Sequence, residues 1–272
     1  QLGIKETNGK LESKCIVCHS PMSTVFNNIS MDKPYNQDGI TCQFCHGTAH
    51  INGYQSAKNM QINLDTVYSH QPEPDNAAHA VAHREFFNES ELCLPCHAVM
   101  ENPKGLEVCA TGSEWKTFYE TTKKTCQDCH MRDTAGYGAD PVLNPLTPYR
   151  EDVPLHDLTG GNAWVPYVLA SAVSGSPNYD ATNDQLLNQG PQVLTLDLTQ
   201  GDGLNAEALL AGVERAKQQL RLAATIKALN YDVGTGALSF RIQNNNGHKL
   251  ISGFPEGRRM FVSIKAYTGD NL

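Results

Sequence analysis

The chain has 272 residues and a formal charge of −8 at pH 7, with 21 Lys and Arg against 29 Asp and Glu. That acidic balance argues against nucleic acid or an anionic membrane surface as the main partner. Hydrophobic residues make up 40% and aromatics 7%, a lean supply for a core of this size, and no run approaches the ~18–20 uninterrupted apolar residues that a membrane-spanning helix requires.

The chain opens on Gln1-Leu2-Gly3-Ile4 with no signal-peptide pattern, as a processed or trimmed product would. Residues 1–160 read as short helices at four cysteine motifs, separated by loops rich in Asn, Asp, Pro and Gly. Within them Ala77-Ala78-His79-Ala80-Val81-Ala82-His83 reads as a helix that puts His79 and His83 on one face. Ser113–Glu120 reads as a helix leading into the fourth motif, with Trp115 and Tyr119 four apart on one side. The best apolar run, Trp164–Val173, is short and carries Pro166. Ser174–Gly203 is polar and loop-like; its Asp180–Asp184 stretch lacks the turn Gly and closing Glu of a calcium loop and reads as a solvated turn. Residues 205–224 form a helix, with Leu209, Val213, Ala216, Leu220 and Ala223 recurring at three and four residues. Strand patterns follow at 225–232, 237–244 and 260–267, the first two joined by Gly234-Thr235-Gly236. Three strands are too few for a sandwich, which implies a C-terminus cut short.

Eight of the nine cysteines fall into four pairs, each followed at once by histidine: Cys15-Ile-Val-Cys18-His19, Cys42-Gln-Phe-Cys45-His46, Cys93-Leu-Pro-Cys96-His97 and Cys126-Gln-Asp-Cys129-His130. C-x-x-C-H is the attachment signal for c-type haem. Two thiols one helical turn apart add to the vinyl groups on one porphyrin edge, and the next His ligates iron. Structural zinc also uses C-x-x-C pairs but does not require His after each second Cys. A thioredoxin-like dithiol would sit in an α/β pattern, which is missing here, and four i to i+3 disulfides are implausible. Cys109 is left over and reads as a small buried apolar residue. The cofactor expectation is therefore four covalently bound haem c groups.

His19, His46, His97 and His130 then supply one axial nitrogen each. Six histidines remain for four further posts: His50, His70, His79, His83, His156 and His248. The choice falls on His50, His79, His156 and His248, with His70 and His83 as alternatives. Met22, Met31, Met60, Met100, Met131 and Met260 are the other axial candidates, though Met is commonly a core filler. Bis-His iron is low-spin and has no open position, so it suits electron transfer better than substrate binding. Four haems held between Cys15 and His130 must pack edge to edge or face to face.

The expected fold class is α+β: short helices and loops wrapped around four stacked haems, then a long helix and a β-rich, sandwich-like region. The expected divisions are a tetrahaem domain at 1–160, a connector at 161–224 and a β-rich domain at 225–272. Haem c attachment occurs outside the cytoplasm, placing the protein outside the cell, on its surface or in the periplasm.

Asp38–His46, Ser90–His97, Glu114-Trp115-Lys116 and Thr125–Met131 resemble the multihaem cytochromes c related to cytochrome c-554. His156–Trp164 and Gly247–Met260 are similar to motifs of a long multihaem subgroup, with Ile251 where relatives have Pro. The resemblance implies a stacked bis-His haem chain with a β-rich C-terminal domain. It also implies that His156 and His248 reach back to the haems as distal ligands. Secreted tetrahaem cytochromes that polymerise into filaments are similar in haem count, which makes self-association an open expectation beside redox partner proteins and extracellular acceptors. Single-electron relay is the leading reading, without catalytic residues. A periplasmic nitrite or hydroxylamine type of oxidoreductase, or its electron-transfer subunit, is the alternative.

Overall fold

A computed structural model describes residues 12–30, 33–72, 79–98, 100–102, 104–188, 203–253 and 259–267. Secondary structure in the first 160 residues is local and short. Helices α1 (Glu12–His19), α2 (Met22–Val25), α3 (Pro34–Gln37) and α4 (Cys42–His46) precede strands β1 (Thr48–Ile51) and β2 (Met60–Ile62). Strands β3 (Thr66–Ser69) and β4 (Ala80–His83) follow, then helix α5 (Leu94–His97) and strands β5 (Met100–Glu101) and β6 (Glu107–Cys109). Helices α6 (Thr111–Thr122) and α7 (Gln127–His130) lead to strands β7 (Asp133–Tyr137) and β8 (Tyr149–Pro154). Among the described residues the strands pair only two at a time: β1 with β2, β3 with β4, β5 with β6 and β7 with β8.

The remainder holds helices α8 (Trp164–Ser171), α9 (Ala181–Leu187) and α10 (Ala206–Ala223), then strands β9 (Ala224–Asp232) and β10 (Ala237–Asn244). The α10 helix starts where Asn205 caps it, its side chain accepting the Ala208 N–H at 2.9 Å. Its apolar stripe buries Val213 and Ala216, and the helix packs along α8. The β9–β10 hairpin turns where the Asp232 carboxylate accepts the N–H groups of Gly234 and Thr235, and Gly236 takes the left-handed conformation (φ 72°). No described helix is long and apolar enough to cross a membrane.

Side-chain packing is thin. One cluster gathers Met22, Phe44, Ala57 and Met60; another gathers Ala49, Tyr68 and Phe87.

The architecture is mixed α+β, as expected, but several local expectations are corrected. Residues 80–83 are not helical: β4 pairs in parallel with β3, Thr66 opposite Ala80 and Ser69 opposite His83. The ladder continues as the Arg84 N–H donates to the Ser69 carbonyl at 2.7 Å. Alanine's helix preference is overridden there by a strand partner that no local pattern reveals; Ala77 and Ala78 lie outside the described residues. Asp180 is no solvated turn but the N-cap of α9, accepting the N–H groups of Thr182 and Asn183. Residues 260–267 carry a strand pattern but form no strand: among the described residues no strand pairs with them, and they are exposed along their length. Among the described residues of 225–272, strand structure is the single β9–β10 hairpin.

Candidate metal centre

Each C-x-x-C-H motif lies on a short helix. Cys15 and Cys18 sit in α1, and Cys42 and Cys45 in α4, whose first turn is capped by Thr41 accepting the Phe44 N–H at 3.1 Å. Cys93 and Cys126 are the cap residues of α5 and α7, so Cys96 and Cys129 follow one turn later. Helical geometry puts residues i and i+3 on one face. The motifs also converge on one another. Cys18 hydrogen-bonds Cys96, and Cys126 hydrogen-bonds Cys93; in each couple that bond lowers the first-named thiol to about 7 and raises its partner. Cys45 lies near enough to act on both Cys93 and Cys96. The third motif is thus the hub of the other three. Among the described residues no three His, Cys, Asp or Glu side chains gather as a metal site.

Two histidine pairs form between distant segments. His46 faces His156 with ring centroids 6.1 Å apart and planes 28° apart. His130 faces His248 at 6.4 Å and 15°. A histidine nitrogen sits about 2.0–2.1 Å from a bound metal and the ring centre roughly 1.1 Å beyond, so imidazoles trans across one metal have centroids about 6.3 Å apart. Both observed separations fit one metal atom between two rings.

The tautomers fit as well. Nδ1 of His46 lies 2.8 Å from the Tyr68 carbonyl, and that of His130 lies 3.0 Å from the Thr159 carbonyl. Nδ1 of His156 lies 2.9 Å from the Pro154 carbonyl, and that of His248 lies 2.8 Å from the Lys249 carbonyl. A carbonyl only accepts, so each Nδ1 carries the proton and donates, leaving the Nε2 lone pair for a metal. Such outer hydrogen bonds orient a ligating imidazole and raise its basicity. Burial pulls His97 and His130 below the ordinary histidine range, which keeps them neutral as ligands must be.

The other named histidines are placed differently. His50 is exposed on β1. His79 is exposed beside β4, its Nδ1 3.3 Å from the Ala80 carbonyl. His83 ends β4 and its Nε2 meets Glu85 at 3.3 Å. His70 is half-buried, hydrogen-bonded to Gln71, and burial and then Arg150 push it below its ordinary range. Among the described residues no facing imidazole of the kind seen at His46 and His130 stands opposite His19 or His97. Met22 and Met60 are core residues, and Met260 is exposed.

The loop 154–159 serves both pairs: it carries His156 toward His46 and its Thr159 carbonyl receives the His130 ring. Strand pairing and α10 hold it. Leu155 N–H donates to the Arg132 carbonyl at 3.0 Å, Arg132 donates to Gln219 at 2.8 Å, and Arg215 lies 3.6 Å from Asp157. A small cavity beside His130 is walled by Arg132, Leu155, Asp157, Thr159 and Arg215. Phe87 stacks on His46 at 5.4 Å. Trp115 and Tyr119 pack on each other at 4.9 Å, and the Trp115 Nε1–H donates to the Lys124 carbonyl at 3.0 Å, tying α6 to the turn before the fourth motif.

Cys109 is buried, 7% exposed, in β6, and burial raises its thiol. Cys109→Ala is expected to leave the number of covalent haem additions unchanged by intact mass and to cost about 1 kcal/mol in thermal denaturation.

Sequence reasoning missed the carbonyls of Tyr68, Pro154, Thr159 and Lys249, the Phe87 stack and the thiol couples. A main-chain acceptor leaves no residue-type signature.

Residues 2–47, which hold the first two C-x-x-C-H motifs, match the family of cytochrome c554 and c-prime. The fold resembles the crystal structure of a penta-heme cytochrome c552 from Thermochromatium tepidum, with a TM-score of 0.53 and 16% identity over 89% of this chain and 53% of that one. The chain thus spans about half the length of that protein. No curated protein matches it. The family match covers residues 2–47 alone, and the structural likeness is one of fold.

Proposed function

We propose that the chain is a carrier that relays single electrons through four covalently attached haem c groups, one at each C-x-x-C-H motif. The observation that carries this reading is the pair of facing imidazole couples, His46 with His156 and His130 with His248, each ring tied back through Nδ1. When bound, haem c supplies a one-electron iron couple. The cysteines hold the group by thioether bonds and the first histidine of each motif ligates it. His156 and His248 would hold the group together with His46 and His130 and keep water and small ligands from it. His50 and His79 remain the proposed partners for His19 and His97. Carbonyl hydrogen bonds to the four outer nitrogens strengthen donation to the oxidised metal and favour a low potential. The convergence of the four motifs on Cys93 and Cys96 supports close packing of the haems within residues 1–160. Residues 161–224 then act as a connector that buttresses loop 154–159, followed by the β-containing region at 225–272. Thioether attachment takes place outside the cytoplasm, so the working location is the periplasm or beyond, with redox proteins or external acceptors as partners.

The alternative is catalysis at an open iron of the nitrite or hydroxylamine type. It draws on His19 and His97, which lack a facing imidazole among the described residues. Intact mass, pyridine haemochrome and EPR of the purified holoprotein separate the readings. Four covalent haem additions, all low-spin and indifferent to nitrite and cyanide, are expected of the carrier. A high-spin signal that shifts with nitrite overturns it in favour of the enzyme, and a chain without covalent additions overturns both. Electron microscopy of the same material distinguishes a filament of copies from a monomer.

A further inference from the structure

Helix α6 presents Thr111, Glu114 and Phe118 on one face, spaced three and four residues apart. The loop 247–252 lies on that face. Gly247 approaches the Phe118 ring so closely that a Cβ there would stand 2.8 Å from Cδ1. The Glu114 carboxylate accepts the Lys249 N–H at 3.0 Å and the Ser252 hydroxyl at 2.9 Å through one oxygen. Its other oxygen meets the Lys249 ammonium at 3.1 Å. Thr111 and Ser252 share a hydroxyl hydrogen bond at 2.9 Å.

Lys249 therefore has both main-chain groups engaged. Its N–H is fixed on Glu114, and its carbonyl accepts the Nδ1–H of His248 at 2.8 Å. The residue whose carbonyl orients the His248 ring is thus held through its N–H by a carboxylate on another element. Glu114 is 14% exposed at its side chain and Lys249 is 74% exposed, so the ammonium pair is screened and the main-chain bond carries more of the hold. The platform is itself anchored to the motifs. At the start of α6 a Cβ on Gly112 would stand 2.6 Å from the Ala98 Cα, directly after α5, and at its end Trp115 ties α6 to the turn before α7 and His130.

We propose that Glu114 is a positioning residue for haem ligation: it docks loop 247–252 on α6 and so holds His248 in line with His130. This rests on the bis-His reading above. Glu114 and Phe118 act on His248 through Lys249 and Gly247.

The test compares Glu114→Ala, Glu114→Gln, Lys249→Ala and His248→Ala in the holoprotein, reading spin state by EPR with and without added imidazole. Losing a charge-assisted hydrogen bond shifts the held-to-released ratio of His248 by about tenfold or more. Glu114→Ala is therefore expected to bring a high-spin fraction at one iron that imidazole reverses, and to make the loop more open to limited proteolysis. Glu114→Gln, which keeps an acceptor for the Lys249 N–H, is expected to recover most of the low-spin signal, and Lys249→Ala to differ little from the unmodified protein. If Glu114→Ala does not accumulate, Gly247→Ala carries the test: it should free His248, and adding Phe118→Ala should restore it. A Glu114→Ala protein fully low-spin while His248→Ala shows a high-spin iron overturns the positioning role and leaves the bis-His reading intact. A fully low-spin His248→Ala protein overturns the ligand assignment itself, and the positioning role falls with it.

Discussion

His156→Ala and His248→Ala are each expected to turn one low-spin iron high-spin, and the double variant to turn two. The reason is topological: His156 faces His46, and His248 faces His130, so on the proposed function the two rings would serve different sites. An emptied axial position takes water or an added ligand, so each single variant gains affinity for imidazole and cyanide that the parent lacks. Near-infrared and EPR spectra count the changed irons. One altered iron in the double variant would mean that the pairs share a site, and none would remove both histidines from the ligand set. His156→Ala should also disturb the second site slightly, since Thr159, three residues on, accepts the His130 Nδ1–H. His248→Ala has no such reach toward His46, because its ring is tied to Lys249 and its loop to α6. An asymmetry in the spectra of the untouched iron is therefore part of the expected result.

The parts of this molecule legible in sequence are those whose physics is local. A pair of cysteines one turn apart specifies its own short helix. Residues 206–223 alternate at helical period and carry their Asn205 cap beside them, and Gly234-Thr235-Gly236 turns β9 into β10. Illegible parts depend on partners far away in the chain. His79-Ala80-Val81-Ala82-His83 is ambiguous by itself, and only the parallel strand at 66–69 makes 80–83 a strand. The strand-like run at 260–267 errs in the other direction: the pattern is present and the ladder is not. His156 and His248 could be counted from sequence as surplus histidines, but their pairing with His46 and His130 spans 110 and 118 residues. Trp115 was legible as an aromatic on α6, while its indole bond to the Lys124 carbonyl was not, because any residue at position 124 offers the same acceptor.

Cys93→Ser with Cys96→Ser is expected to do more than remove one haem by mass. It should abolish cooperative unfolding of residues 1–160, whereas Cys15→Ser with Cys18→Ser should lower the thermal midpoint and leave a cooperative transition. Cys93 and Cys96 lie against Cys126 and Cys18 and near Cys45, so the third motif adjoins the other three, while Cys15 is exposed. Side chains alone are a weak scaffold here. Among the described residues half of the buried apolar ones are Ala or Cys, and the strands of this region come in isolated pairs. An isolated two-stranded ladder is marginal in water and needs a hydrophobic face to lie on. Covalent macrocycles, on the proposed function, would supply such a face: each would bring a large apolar area already tied to the chain and so add little to the entropy lost on folding. Removing the central one strips apolar contact from three neighbours at once, which exceeds the ~1 kcal/mol of an ordinary substitution. Differential scanning calorimetry with near-ultraviolet circular dichroism checks this, and an unchanged sharp transition in the Cys93/Cys96 variant would show that side chains alone hold the fold.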